Sequence, residues 1–203
     1  LAVKPHMMEE LLAPLRPQLR QRRPVLISMA AGLTVAQIEQ TAGGDLPVIR
    51  IMPNTPVAVG QGMTQYCHNA LVTEDDLRSF LEDMRFSGRL DELEERLMDA
   101  ASALSGCGPA YMYLLIEALA DGAVACGIPR AKALEYAAAT MIGAGEMVLA
   151  TGMHPGALKD AVCSPGGSTI AGVRALEQHG FRAAAMDCVA AAYEKNRQLG
   201  KGK

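Results

Sequence analysis

The chain has 203 residues, half of them hydrophobic, and a formal net charge of -3. That length suits one large or two small domains with a genuine core, and the slight acidity leaves no electrostatic footprint for nucleic acid. Five scattered cysteines without a C-x-x-C spacing and four scattered histidines argue against a disulfide framework and a metal site, and point to reduced thiols in a cytoplasmic protein.

The chain opens on an apolar Leu1-Ala2-Val3 followed by Lys4-Pro5, which reads like the end of a strand and has no initiating Met. The expectation is that these residues are the downstream portion of a longer protein. Met8, Leu11, Leu12, Leu15 and Leu19 then fall near helical spacing, with Pro14 and Pro17 breaking or kinking the later turns. The basic cluster from Arg16 to Arg23 reads as a solvated helix end. Residues 24–29 (PVLISM) have the pattern of a buried strand, and Ala30-Ala31-Gly32 follow directly. Thr34 stands three residues before Gln37, a capping-box spacing, and opens a short helix ending at Gly43-Gly44. Residues 47–52 (PVIRIM) form the next strand, followed by Pro53-Asn54. Strand, loop, helix, strand predicts parallel α/β winding, and small residues at Ala2 to Pro5, Ala30 to Gly32 and Asn54 would line the carboxyl edge where ligands bind in such folds. The glycine-rich dinucleotide fingerprint is nowhere among these residues.

Residues 63–67 read as an edge strand, Thr73 caps a helix carrying Leu77, Phe80, Leu81 and Met84 on one stripe, and residues 88–92 read as connecting chain. From about residue 94 the strands vanish. Helices are expected at 94–104, 109–126, 130–150, 155–163, 169–179 and 181–199, with Pro109 and Pro129 placed at helix starts. The expected organisation is a remainder of an α/β domain over 1–93 and an all-α domain over 94–203.

Within the second part, residues 158–172 (LKDAVCSPGGSTIAG) can build an anion pocket from main chain. Pro165 stops one helix, Gly166 and Gly167 allow a tight turn, and Ser168 or Thr169 is positioned to cap the next. The first N–H groups of that helix, with the hydroxyls of Ser164, Ser168 and Thr169, suit a carboxylate or phosphate. Taken alone, such a stretch is more often a plain capped turn.

The stretches AVKP at 2–5, AAG at 30–32, PNTP at 53–56, LSGCGPAY at 104–111, GIPR at 127–130, HPGALKDAVCSPGGSTIAG at 154–172 and GFRAAAMD at 180–187 together resemble the pyrroline-5-carboxylate reductase family. The resemblance covers nearly the whole chain. It implies the C-terminal part of a Rossmann domain binding NADPH or NADH, then a helical dimerisation domain, and reduction of 1-pyrroline-5-carboxylate to L-proline by hydride transfer. It further implies that Ala2, Val3, Lys4, Pro5, Ala30, Ala31 and Asn54 hold the cofactor. Ser164, Gly167, Ser168 and Thr169 would hold the substrate, with Glu95 as a nearby acid and Thr169 polarising the imine nitrogen. Cys107, where the family usually has Ser, and Gly152, where some members have an acid, depart from the pattern. Two other readings stay open: a related imine or hydroxy-acid reductase on the same plan, and an inactive oligomeric scaffold.

Assembly has its own signature. Between Ala118 and Ala150 charges are few, and Ala, Gly, Met, Leu and Val cover almost every face. Glu117, Asp121, the Gly127-Ile128-Pro129 break, Arg130, Lys132 and Glu135 interrupt any run of about 20 apolar residues, so a homodimer and no membrane partner is expected. Small side chains at Ala137, Ala138, Gly143, Ala144 and Gly145 would allow close helix approach.

Overall fold

The computed structural model describes residues 1–201; Gly202 and Lys203, the end of the expected 94–203 stretch, lie outside the described residues. The described residues form two compact units, one of residues 1–109 with 189–201 and one of residues 110–188.

The first unit is built on four strands, β1 (Leu26–Ser28), β2 (Val48–Met52), β3 (Gly62–His68) and β4 (Gly88–Glu92), in the order β1-β2-β3-β4. β1 and β2 are parallel, β2 and β3 antiparallel, and β3 and β4 parallel. Two expectations are corrected here. Residues 63–67 lie in an interior strand, hydrogen-bonded on both sides, and residues 88–92 are the edge strand rather than connecting chain. The sequence Gly-Arg-Leu-Asp-Glu carries one apolar residue, so it shows no alternation, and the charges it presents suit an edge that must not pair further. Leu1 continues the sheet beyond β1: its amine donates to Ile27 O at 2.5 Å and its carbonyl accepts from Met29 N–H at 3.2 Å, the two-bond pattern of a parallel neighbour.

Helices cover both faces. α1 (Met8–Leu12) and α2 (Arg16–Arg22) are separated by a 3₁₀ turn at Ala13–Leu15, with Pro14 and Pro17 each in the first positions of the segment that follows, where a missing N–H does least harm. α3 (Val35–Ala42) starts on the expected capping box and ends at Gly43 in the left-handed region. α4 (Glu74–Met84) starts on a second capping box, Thr73 with Asp76. Alternation along β2 sorts the core. Val48 joins Met8, Leu12, Ile38 and Met98 on one face, while Ile49 and Ile51 join Tyr66 and Phe80 on the other. Tyr66 meets Phe80 edge to face at 5.3 Å.

The expected helix 94–104 is three short pieces: a 3₁₀ turn (Glu95–Leu97), α5 (Met98–Ala101) and a π-helical turn (Ser102–Gly106) closed by Cys107 N–H to Ser102 O at 3.0 Å. Thereafter the expected boundaries hold to within two residues: α6 (Gly108–Ala125), α7 (Arg130–Thr151), α8 (Pro155–Ala161), α9 (Ser168–Gln178) and α10 (Phe181–Lys201). The α6–α7 turn is spanned by an Arg130 to Asp121 ion pair.

Within the second unit these helices stand remarkably bare for apolar segments. Leu114, Ile142, Met147 and Leu149 are all more than half exposed, and on α7 only Ala133 and Ala137 are buried. Across both units, the run Glu95–Ala125, made of the short pieces just described and α6, is long and apolar enough by length and composition to cross a membrane, and an uncovered subunit interface shows the same apolar exposure.

Candidate functional site

Because β1 and β2 are parallel, the segments leaving them emerge at the same sheet edge, and Ala2 to Pro5 follow Leu1 to that edge beside them. Ala2, Lys4 and Ala31 are exposed there, Val3 and Pro5 are half-buried, and Ala30 is buried with its N–H on Ser28 Oγ at 3.3 Å. No side chain larger than a methyl group stands at Ala2, Ala30, Ala31 or Gly32, and Gly32 takes a φ of 76°, which favours glycine. A shallow crevice at this edge is lined by Ala31, Gly32, Met52, Asp99, Ser102 and Asn196. An edge of small residues that lets a ligand approach the backbone fits a nicotinamide dinucleotide.

Asn54 braces this edge from within. Its Oδ1 accepts from Met63 N–H at 3.0 Å and its Nδ2 donates to Ser105 O at 3.0 Å, so the exit of β2 is tied both to the start of β3 and to the π-helical turn. Glu95 is likewise engaged: Oε1 accepts from Val35 N–H at 2.6 Å and from Arg50 Nη1 at 3.3 Å. Arg50, 3% exposed, spends its other nitrogen on Asp99 Oδ1 at 3.0 Å, and its Nε has no partner. Sequence reasoning passed over Arg50 and Asp99. The signal was present, since a charged residue in an otherwise apolar strand must be paired inside the fold.

The second cluster lies in the other unit. Ser164-Pro165-Gly166-Gly167 forms a turn with Gly167 N–H on Ser164 O at 3.0 Å; Pro stands second and Gly166, at φ 70°, third, the residue order of a type II turn. Gly167 is the N-cap of α9 and no side chain caps that helix, which corrects the expectation that Ser168 or Thr169 would do so. The reason is the turn itself. By closing on Gly167 it starts helical geometry at Ser168, one residue too early for that hydroxyl to reach back. The first helical bond runs from Ala171 N–H to Gly167 O, so the N–H groups of Ser168, Thr169 and Ile170 precede it and face outward with the positive end of the helix dipole. Ser164, Ser168 and Thr169 are exposed on this turn and Gly167 is half-buried. The preceding helix α8 is capped by His154, whose Nδ1 accepts from Gly156 N–H at 3.0 Å. The structure thus gathers the four substrate-side residues in one turn and the seven cofactor-side residues with Glu95 in the first unit.

A sheet edge of small residues in one unit, and in the other a helix start with unpaired N–H groups beside bare apolar faces, are features that a nicotinamide-dependent oxidoreductase with a helical dimerisation part would use. A family model described as pyrroline-5-carboxylate reductase dimerisation matches residues 95–199. Pyrroline-5-carboxylate reductase of Escherichia coli is 44% identical over 200 residues, covering 98% of this chain and 74% of its own length. That of Synechocystis is 46% identical over 201 residues, covering 99% and 74%. The crystal structure of Plasmodium falciparum pyrroline carboxylate reductase with NADP bound superposes with a TM-score of 0.90 at 37% identity, covering 98% of this chain and 79% of that one. The chain belongs to the pyrroline-5-carboxylate reductase family, the NAD(P)H-dependent oxidoreductases that reduce 1-pyrroline-5-carboxylate to L-proline.

Proposed function

We propose that in this reductase the turn 164–169 holds the carboxylate of 1-pyrroline-5-carboxylate and that the edge formed by Ala2, Val3, Lys4, Pro5, Ala30, Ala31 and Asn54 holds NADPH or NADH. The bound dinucleotide supplies the hydride. The observation that carries the reading is the uncapped start of α9, where free main-chain donors and three exposed hydroxyl residues share one turn. Ser164, Gly167 and Ser168 fix the carboxylate in ground state and transition state alike. Thr169, one position further into the helix, donates its hydroxyl to the imine nitrogen; a threonine is too weak an acid to give up that proton, so it orients and polarises, and the proton comes from water or from the substrate. Glu95, with about a third of its side chain exposed, offers the alternative to that hydroxyl bond: its negative charge instead favours an imine that is already protonated.

In the same reading residues 1–93 serve as the NAD(P)-binding part and 94–203 as the part that dimerises and binds substrate, a division supported by the match over 95–199. The second copy of the chain covers the bare faces of α6 and α7, in place of a membrane. All five cysteines are free thiols, which supports a cytoplasmic setting, and the net negative charge gives no grip on nucleic acid. The test is cofactor oxidation by the purified protein with NADPH and with NADH, with and without 1-pyrroline-5-carboxylate. Oxidation that requires the imine is expected. A folded preparation that turns over neither cofactor sinks the assignment.

A further inference from the structure

We propose that Arg50 is a positioning residue for the dinucleotide edge, acting through Glu95 on the first turn of α3. The inference rests on the reading that Ala30 and Ala31 hold the cofactor. The loop carrying them is pinned at its start by Ala30 N–H on Ser28 Oγ and at its end by Val35 N–H on Glu95 Oε1 at 2.6 Å. Val35 is the first residue of α3. The capping box there leaves its N–H unserved, because Thr34 Oγ1 is spent on Gln37 N–H, so the acceptor comes from 60 residues away. Arg50 holds that acceptor in place. Its guanidinium, buried on the face of β2 that also carries Val48, forks between Glu95 at 3.3 Å and Asp99 at 3.0 Å. The main-chain carbonyl of Asp99 accepts in turn from Asn196 Nδ2 at 3.0 Å, which anchors the far side. A fork is needed because the two carboxylates sit on successive turns, and a single ammonium cannot address both with the same geometry.

The experiment measures the dissociation constant of NADPH by calorimetry without imine, the KM of the imine, and the melting temperature, for wild type, Arg50→Lys and Val35→Pro. Val35→Pro removes the N–H that Glu95 accepts and keeps an apolar three-carbon side chain at this buried core position, so the melting temperature reads any packing loss separately from the lost bond. Proline is favoured at a first helical position, and Thr34, at φ -78° and ψ 160°, already has the conformation a following proline requires. Both variants are expected to weaken NADPH about tenfold, the loss of one charge-assisted hydrogen bond, and Val35→Pro, which leaves Glu95 held by Arg50, is expected to keep the imine KM within about twofold. If Arg50→Lys fails to fold, Val35→Pro decides alone. Wild-type NADPH affinity in a folded Val35→Pro protein overturns the proposal, as does loss of fold in both variants or a parallel fall of all three quantities, since each leaves the network a purely structural one. Wild type that binds NADPH yet does not reduce the imine refutes the proposed function without touching this inference, and wild type that binds no NADPH overturns both.

Discussion

A β-carbon placed on Gly167 would lie 2.5 Å from the Ser164 hydroxyl oxygen and 3.2 Å from the Ser164 carbonyl oxygen. The backbone at Gly167, φ -77° and ψ 170°, is extended and open to any residue, so the glycine is required by proximity rather than by its conformational freedom. The missing side chain is what lets Ser164 fold over the start of α9.

Gly167→Ala therefore displaces the Ser164 hydroxyl and slightly crowds the Ser164 carbonyl, with no cost from the backbone angles themselves. The expected result is an imine KM raised about tenfold, with a melting temperature within a few degrees of wild type, as for the loss of one hydrogen bond to a charged group. An unchanged KM in steady-state kinetics would mean that the hydroxyl plays no part in binding.

Thr169→Ala and Ser164→Ala separate the two roles assigned to this turn. A hydroxyl at the imine nitrogen acts as charge moves in the transition state, so Thr169→Ala is expected to lower kcat by about ten- to a hundredfold. A carboxylate donor binds both states equally, and Ser164→Ala is expected to raise KM with kcat nearly unchanged. Wild-type kinetics in both, at unchanged melting temperatures, would return the stretch to an ordinary helix-to-helix turn.

The dimer prediction uses an empty space. A β-carbon on Gly145 meets nothing within 4 Å in this chain, while Ile142 and Met147 on the same helix are exposed. Gly145→Glu thus fits inside one subunit, and only a partner packed against α7 can refuse it. Light scattering is expected to show a homodimer for wild type and dissociation, with loss of activity, for the variant. A charged variant that remains a fully active dimer, or becomes a fully active monomer, would place the interface elsewhere or show it to be dispensable.

Cys67, buried in β3, offers a test by pH. Burial pushes its thiol up to about 11, with Glu95 adding to the rise and Arg50 opposing it. The folded state holds the proton more tightly than the unfolded chain, so its contribution is complete below the ordinary thiol range near 9 and lost as pH climbs toward 11. In denaturant titrations at pH 7, 9 and 10.5, the stability advantage of wild type over Cys67→Ala is expected to shrink with rising pH. A constant difference would show that the thiol does not titrate in this window.

Much of this architecture was legible in local pattern. The capping boxes at Thr34 and Thr73, the glycine and proline punctuation of the helical part, and the Ser-Pro-Gly-Gly turn each depend on residues a few positions apart, and such signals survive in a linear reading. β4 escaped because its one apolar residue shows no period, and the antiparallel placement of β3 escaped because a strand's direction is set by which neighbour it pairs with. In the linear sequence Glu95 stood only as an acid near the substrate turn and Asn54 only as a small residue at the sheet edge, with no partner in sight for either. Only tertiary structure brought Arg50 to Glu95 and Ser105 to Asn54, because a buried guanidinium and a side-chain amide find their partners across the fold, 45 and 51 residues away, where sequence spacing carries no information.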